Sequence, residues 1–211
     1  MFCDIIDLLQ GERNFENCNW QEAKIDCIES ISDSNFINNK FMNTKFKFVG
    51  FNDCDMQNND FTNAFFDGSG FWGGTINNNV FKKTKMSGGF SYSKNDKNNF
   101  TEAVLDGASW YKCECIEDIF KDANVASAWV NRTSYASCDF EKTKMKKCKF
   151  EKTELTDCSF KDAELTDITF IECTLKNIDF TSIKYENVTF EDCQLENVTF
   201  TEQQKKDFGL E

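Results

Sequence analysis

The 211-residue sequence contains no histidine and no proline, and its acidic side chains outnumber the basic ones, giving a net charge of −12. Without histidine there is no imidazole base and no histidine metal ligand, so catalysis by a nucleophile–histidine pair is excluded. The negative charge argues against direct binding to nucleic acid or to an anionic membrane. It does not argue against binding a protein that itself binds nucleic acid.

Long hydrophobic runs are also missing, and none approaches the length of a membrane-spanning helix. The first ten residues contain Asp4 and Asp7 and no basic segment, which is not typical of a signal peptide. We therefore expect a cytoplasmic protein whose cysteines are thiols.

Phenylalanine is abundant, with 23 residues, and its positions follow a period of five. A large apolar residue stands at every fifth position from 140 to 200, which chance would produce less than about once in 100,000 sequences. A smaller residue lies two positions before each of them. The large residues are Phe140, Met145, Phe150, Leu155, Phe160, Leu165, Phe170, Leu175, Phe180, Tyr185, Phe190, Leu195 and Phe200.

A period of five fits neither the 3.6-residue period of a helix nor the two-residue period of a strand. A short repeat with two inward positions can bury them by stacking on copies of itself, as solenoids do. The blocks CDFEK, CKFEK, TELTD, CSFKD and AELTD resemble the pentapeptide-repeat family. The resemblance implies an all-β fold, a right-handed quadrilateral parallel β-helix with four blocks per coil, so that residues four blocks apart lie above one another.

Residues four blocks apart can be grouped into columns along the predicted rod. Residues of one kind recur in each column, which supports the implied fold. The repeating part of the chain corresponds to about nine coils, or a rod of roughly 40 Å. The column with the most aromatic residues contains Phe100, Phe120, Phe140, Phe160, Phe180 and Phe200.

We expect a single domain over residues 1–211, with an N-terminal cap over 1–12 and a short helical cap over 201–211. The period slips by one residue between Asp26 and Ser30, which indicates a bulge-like corner. The interval from Met86 to Phe100 is not a multiple of five, and residues 87–99 are rich in Gly, Ser, Asn and Lys. We interpret residues 87–99 as a projecting loop, with Phe90 able to point inward.

Eight of the 11 cysteines occupy the smaller inward position, where a thiol packs as a small hydrophobic group. Stacked cysteines with parallel Cβ directions do not have disulfide geometry, so we expect packing thiols. These residues are Cys18, Cys54, Cys113, Cys138, Cys148, Cys158, Cys173 and Cys193.

Acidic residues concentrate near the C-terminal end, where residues 151–202 hold 13 acids and 4 lysines. This stretch would occupy about 12 Å of the rod, over which B-DNA carries about seven phosphates. The charges can serve to mimic DNA, or they can keep the solenoid soluble and prevent end-to-end association. Our candidates for the acidic surface are Asp157, Asp162, Asp167 and Glu172.

The chain also resembles the quinolone-resistance branch of the family in its length, in the interruption of a middle coil and in its tail Glu202-Gln203-Gln204. That resemblance implies an acidic rod that binds DNA gyrase or topoisomerase IV, modulates it or protects it from quinolones, and forms a homodimer through its C-terminal end. The segment 87–99 is then either a partner-binding loop or a tolerated insertion. The exposed candidates in it are Ser91, Tyr92, Lys94 and Asp96.

No glycine-rich phosphate loop or metal signature is visible, and the carboxylate pairs lie on predicted flat, exposed sides. We therefore expect a protein that is not an enzyme and that uses neither a cofactor nor a metal. The alternative to a topoisomerase partner is a general protein–protein interaction scaffold.

Overall fold

The computed structural model describes residues 14–26 and 30–210. Within these ranges the chain winds as a parallel solenoid of about nine turns with one short C-terminal helix, which confirms the predicted β-helix. The predicted N-terminal cap, residues 1–12, lies outside the described residues. Each coil has four sides, which we number 1 to 4 in chain order.

Side 1 is a ten-stranded parallel sheet. Its strands are β1 (Asn14–Glu16), β4 (Asn35–Ile37), β7 (Asp55–Gln57), β10 (Thr75–Asn77), β13 (Lys94–Asp96), β15 (Glu114–Ile116), β18 (Ser134–Ala136), β21 (Glu154–Thr156), β23 (Thr174–Asp179) and β25 (Gln194–Thr199). Side 2 follows each of these strands and is formed mainly by single parallel bridges, such as Lys40 with Asp60.

Side 3 begins as a four-stranded sheet and continues in strands that join side 4 near the C-terminal end. Its strands are β2 (Lys24–Asp26), β5 (Lys45–Lys47), β8 (Phe65–Asp67), β11 (Lys85–Met86), β16 (Asn124–Ala126) and β19 (Lys144–Lys146). Side 4 contains β3 (Ile31–Ser32), β6 (Gly50–Asn52), β9 (Gly70–Trp72), β12 (Gly89–Ser91), β14 (Ser109–Tyr111), β17 (Trp129–Asn131) and β20 (Lys149–Glu151). Two longer strands turn from side 3 into side 4, namely β22 (Glu164–Ile171) and β24 (Lys184–Glu191).

The corners between sides are made by residues in the left-handed region, for example Asn38 (φ 56°), Asp53 (φ 50°) and Lys142 (φ 55°). Asn and Asp tolerate this conformation better than most residues. The solenoid repeats the corner every five residues, which accounts for the frequent polar residues at that phase. Their side chains remain outside the core.

Stacked aromatic rings fill the interior. On side 2 the ring centroids of Phe41 and Phe61 are 4.8 Å apart with planes 4° from parallel, and Phe61 and Phe81 repeat this at 4.8 Å and 1°. The predicted column then follows, with Phe100 stacked on Phe120 at 4.9 Å. The distance between ring centroids matches the spacing between paired strands, because the stacked rings occupy equivalent positions in successive coils.

Two of the described coils differ in length from the others. Ile25 pairs with Phe46 and Ile31 pairs with Phe51, so one extra residue lies between Asp26 and Ile31. This confirms the predicted slip of the period, although the corner itself, residues 27–29, lies outside the described residues.

The prediction of a projecting loop over residues 87–99 is wrong. Residues 89–91 form β12 and residues 94–96 form β13, and both Phe90 and Asn95 are buried. The coil is one residue short, because Phe71 pairs with Phe90. The shortened corner needs glycine at position 88, where an added Cβ would lie 1.7 Å from the carbonyl oxygen of Ser69.

The C-terminal tail forms helix α1 (Glu202–Phe208), which confirms the predicted helical cap. A capping box between Thr201 and Gln204 begins the helix, and Gly209 at φ 68° ends it. Phe208 packs on Phe190 and Phe200 of the last coil, with ring centroids 5.4 and 5.7 Å away. Among the described residues no helix is long and apolar enough to cross a membrane.

The stacked column predicts a large loss of stability when one ring is removed. Phe100→Ala should lower the free energy of unfolding by about 3–5 kcal/mol, because the site lies between two rings and cannot collapse. Phe48→Ala is the matched control, since Phe48 is 59% exposed and its loss should cost less than about 0.5 kcal/mol. Urea unfolding monitored by circular dichroism measures both, and equal losses would contradict the assignment of the column as the core.

Candidate functional site

The four predicted loop residues lie on the body of the rod. Ser91 ends β12 on side 4, Tyr92 occupies the corner at φ 56°, and Lys94 begins β13 on side 1. Asp96 lies at the other end of β13, where its carboxylate is 3.4 Å from the ammonium group of Lys97. The candidates therefore do not form one projecting surface, although Tyr92 and Lys94 line the same groove.

The four predicted acidic residues, Asp157, Asp162, Asp167 and Glu172, each occupy a corner, with φ between 51° and 55°. They follow one another at five-residue intervals, so the structure distributes them over the four edges of the rod. We call them the acidic corners. This arrangement is a ring of negative charge around the rod and not a patch on one side.

Neighbouring coils hold the acidic corners in place. The side-chain amide of Asn177 donates to Asp157 at 2.8 Å, and that of Asn187 donates to Asp167 at 2.9 Å. Lys152 lies 3.7 Å from Glu172. All of these contacts lie at the surface of the rod, so the carboxylates of the acidic corners remain in contact with solvent.

A second surface was not predicted from the sequence. Four aromatic residues lie outside the core along side 4 and its corner with side 1, and we call them the aromatic ladder. Neighbouring ring centroids are 4.9, 5.4 and 5.8 Å apart. Three of the four are notably exposed, at 54% for Trp72, 43% for Tyr92 and 44% for Trp129. In order along the rod, the ladder is Trp72, Tyr92, Tyr111 and Trp129.

Cations follow the ladder along the corner between sides 4 and 1, and we call Lys112, Arg132 and Lys152 the cation column. The ammonium group of Lys112 lies 5.0 Å from the ring centroid of Tyr92 and 5.3 Å from that of Tyr111. Hydrogen bonding with Tyr92 lowers the pKa of Tyr111, and the charges of Lys112 and Arg132 lower it further. Aromatic rings and cations thus form one electrostatically connected surface.

Two shallow grooves adjoin the ladder, one at its corner with side 1 and one on side 4. The first, of about 370 Å³, contains the whole cation column together with Tyr92 and Lys94, and Glu114 and Glu154 also line it. The second, of about 280 Å³, has a floor of glycine and serine residues, and Trp72 forms part of its wall. One groove is therefore rich in cations and the other is uncharged.

The family model of the pentapeptide repeat region matches residues 133–208. The structure extends the same five-residue sides over the rest of the described chain. Residues 133–208 are thus a pentapeptide repeat region, and the described chain has the fold of a pentapeptide-repeat β-helix. No curated protein sequence matches it significantly.

Solved structures share the fold of this chain at low sequence identity. Full-length QnrB1, a plasmid-mediated fluoroquinolone resistance protein, superposes with a TM-score of 0.56 at 13% identity, covering 94% of this chain and 96% of that one. HetL, a pentapeptide repeat protein involved in heterocyst differentiation regulation from the cyanobacterium Nostoc sp. strain PCC 7120, gives 0.51 at 11% identity, over 90% of this chain and 92% of HetL. The periplasmic alginate epimerase AlgG gives 0.53 at 10% identity, covering 82% of this chain and 55% of AlgG. At these identities the likeness shows the fold alone.

The core contains cysteines, which are potential nucleophiles and metal ligands, but most of them pack as small buried side chains. Among the described residues no group of Cys, Asp and Glu could hold a metal ion. Cys138 and Cys158, which stack as predicted, are free thiols and each donates to a backbone carbonyl at 3.5 Å. Burial raises the pKa of the Cys54 thiol to about 11, so it is a poor nucleophile. The prediction of a thiol is wrong at Cys18, which is disulfide-bonded.

Asparagines buried between sides 1 and 2 form a hydrogen-bonded ladder. The side-chain oxygen of each accepts from the preceding member, as in Asn39 to Asn59 at 3.0 Å and Asn59 to Asn79 at 3.0 Å. The amide nitrogen also donates to the backbone carbonyl of the inward residue of side 1 one coil earlier, as from Asn98 to Ile76 at 2.6 Å. Every polar atom of such a side chain is therefore used.

Asp118 occupies the next position in this ladder. An ionised carboxylate there has no hydrogen-bond donor, whereas an asparagine side chain has two. The Oδ1 atom of Asp118 accepts from the backbone and side-chain amides of Asn98 at 2.7 and 3.0 Å, while Oδ2 has no partner. By register the carbonyl available to Oδ2 belongs to Asn95, and only a protonated carboxyl can donate to it. Burial raises the pKa of Asp118 to about 7, consistent with a neutral acid.

This ladder predicts that Asp118→Asn stabilises the protein at neutral and higher pH. The side-chain amide of the variant supplies the missing donor, so the free energy of unfolding should rise by about 1–3 kcal/mol at pH 8. In the unchanged protein the native carboxyl binds its proton more tightly than the unfolded one, so stability should fall as pH rises from about 4 to 7. The variant should lose that dependence.

Asp122→Asn is the matched control, because Asp122 is exposed at a corner. Unfolding curves between pH 4 and 9 compare the two variants. A pH dependence that survives Asp118→Asn and disappears in the control would contradict the neutral carboxyl.

Proposed function

We propose that this protein binds a type II topoisomerase, DNA gyrase or topoisomerase IV, as a DNA mimic, and that it modulates the enzyme or protects it from quinolones. The proposal is for a cytoplasmic protein without catalytic activity. The observation that carries it is the ring of acidic corners at the C-terminal end of a rigid rod.

The charge density of this end supports the proposal. Residues 151–202 hold 13 acids and 4 lysines. Over the same length, about 12 Å, B-DNA carries about seven phosphates. The acidic corners present this charge on every edge of the rod, as a duplex presents phosphates around its circumference. An enzyme groove that receives DNA could then meet negative charge on both walls.

Lysines precede the acidic end, but ion pairs neutralise part of their charge. The ammonium group of Lys149 lies 3.1 Å from Glu151, and that of Lys142 lies 3.5 Å from Glu141. The fold shared with QnrB1 adds support for a topoisomerase partner only as an analogy of shape, because the identity is 13%. The alternative is a general interaction scaffold, and the aromatic ladder, outside the acidic end, favours it.

The open C-terminal end supports a homodimer as part of the same proposal. Strand β25 pairs with β23 on one edge, and among the described residues no strand pairs with its other edge. Helix α1 covers Phe190 and Phe200 but leaves Leu195 36% exposed. A second copy could cover this edge and its apolar residue.

Reversing the acidic corners should abolish the effect on the enzyme. A variant with lysine at all four positions should bind gyrase at least about tenfold more weakly at low salt, since electrostatic attraction to a DNA groove is lost. Lysine is compatible with these corners, because Lys142 and Lys147 already adopt φ 55°. The measurements are binding to purified gyrase by surface plasmon resonance and supercoiling activity with and without a fluoroquinolone.

The control reverses four carboxylates at corners of the other half of the rod, and it should bind as the unchanged protein does. Absence of binding by the unchanged protein would overturn the topoisomerase partner, while equal binding by both variants would overturn the mimicry. The control positions are Glu22, Asp33, Asp53 and Glu102.

The dimer is tested by Leu195→Lys. Placing a charge at the open edge should convert a dimer to a monomer in light scattering at micromolar concentration, because two lysines would oppose each other across the two-fold axis. Lys161→Leu serves as a surface control and should leave the mass unchanged. A monomeric unchanged protein would contradict the proposed contact.

A further inference from the structure

Side 4 differs from the rest of the rod in charge. Residues 68–73, 87–92, 107–112 and 127–132, which form this side and its corners over four coils, include no carboxylate. They include Lys112, Arg132 and the aromatic ladder. A protein with a net charge of −12 therefore has, over these four coils, a stretch of side 4 without carboxylates.

Two tracks run along this side, parallel to the rod axis. The aromatic ladder provides one ring per coil, and the cation column provides one positive charge per coil. Both repeat at the coil spacing of about 4.8 Å. Among the described residues Lys94, Lys112 and Arg132 form no ion pair, so their charges remain available.

We propose that these tracks bind a single strand of nucleic acid along the rod, with phosphates on the cations and bases against the aromatic ladder. Proteins that bind single strands without sequence preference combine a basic groove with aromatic side chains. A stacked strand advances 3.4 Å per nucleotide, and a strand with separated bases advances further, so a 4.8 Å repeat falls within its range.

The two grooves that adjoin the ladder favour a nucleic acid over other anionic chains. A single strand has its charge on one edge and its flat, uncharged rings on the other. The groove with Lys112, Arg132 and Lys152 suits the phosphate edge, and the uncharged glycine-lined groove beside Trp72 suits the base edge. An acidic peptide or a polyuronate does not separate charge from rings in this way.

One hydroxyl group in the cationic groove adds to this match. Ser134 is partly exposed and lines the groove beside the cations, and serine hydroxyls commonly contact phosphates and sugars. Glu114 and Glu154 also line the groove and would weaken binding. The repulsion from the acidic C-terminal end acts in the same direction, so binding should be measured at low salt.

The test is fluorescence anisotropy of the full chain with labelled oligo-dT and oligo-rU of about 15 nucleotides, near the upper limit of known site sizes. We expect both strands to bind and to quench tryptophan fluorescence, because Trp72 and Trp129 are the exposed tryptophans among the described residues. A duplex of equal length should bind more weakly, since its bases are already stacked.

Two variants separate the tracks. Lys112→Glu with Arg132→Glu should weaken binding at least about tenfold and reduce the slope of log K against log salt by about 1.4, at 0.7 per phosphate contact. Trp72→Ala with Trp129→Ala should also weaken binding at least about tenfold while leaving the salt slope unchanged. All replaced side chains face solvent, and circular dichroism establishes that the variants are folded.

The matched control is Lys82→Glu with Lys85→Glu, an equal change in charge on other sides of the rod, where both lysines are exposed. Its affinity should remain within about twofold of the unchanged protein. No binding of either strand at low salt overturns the proposal, as does equal loss of affinity in the control. Equal competition by poly-glutamate also overturns it, because a peptide has no base to stack. That result would assign the side to an acidic protein partner.

Discussion

Backbone hydrogen bonds along the rod axis position every other feature of this protein. The amide of Phe41 donates to the carbonyl of Asp60 at 2.7 Å, and that of Phe61 donates to Val80 at 2.7 Å. Each coil bonds only to its two neighbours, so the register is set one coil at a time. A coil can therefore contain one residue more, as after Asp26, or one fewer, as at Gly88, without shifting coils further away.

The same bonds arrange surface chemistry in columns. Two of every five residues point inward and must pack, while the other three are free to vary. An outward residue lies beside the equivalent residue of the next coil, which is why Asn177 reaches Asp157 and Lys112 lies over Tyr92. The aromatic ladder is a column of this kind, whereas the acidic corners form a ring around one coil.

The five-residue period predicted a solenoid, and the resemblance to the pentapeptide-repeat family implied the four-sided β-helix with its stacked Phe column. The helical tail was expected because residues 201–211 leave the period. The segment 87–99 was misinterpreted because two signals coincided there. Gly88 shortens a corner, and the inward position 95 holds an asparagine, whose side chain is satisfied by Ser93 and Cys115 at 3.3 and 3.5 Å. A polar inward residue beside a change of phase has the same appearance in a sequence as a loop.

The aromatic ladder was missed for a different reason. In a chain with 23 phenylalanines an aromatic residue usually indicates the core, and of the ladder only Tyr92 was named as an exposed candidate. Trp72 and Trp129 stand outside the inward phase, and their distance from that phase was the available signal. Net charge likewise averages over the chain, and so it concealed the stretch of side 4 without carboxylates. The acidic corners were named from the sequence as an acidic surface, and their distribution around the rod follows only from the four-sided coil.

One corner of the rod gives the molecule a direction. It carries Lys112, Arg132 and Lys152 in successive coils and then changes sign at Glu172 and Asp192. Together with the acidic C-terminal end, this change produces an electric dipole along the axis. The electric field of a charged partner orients such a rod before the two molecules make contact, whereas a uniformly charged rod would not be oriented. Positively charged partners would thus meet the C-terminal end first, and negatively charged partners would meet the middle of the rod.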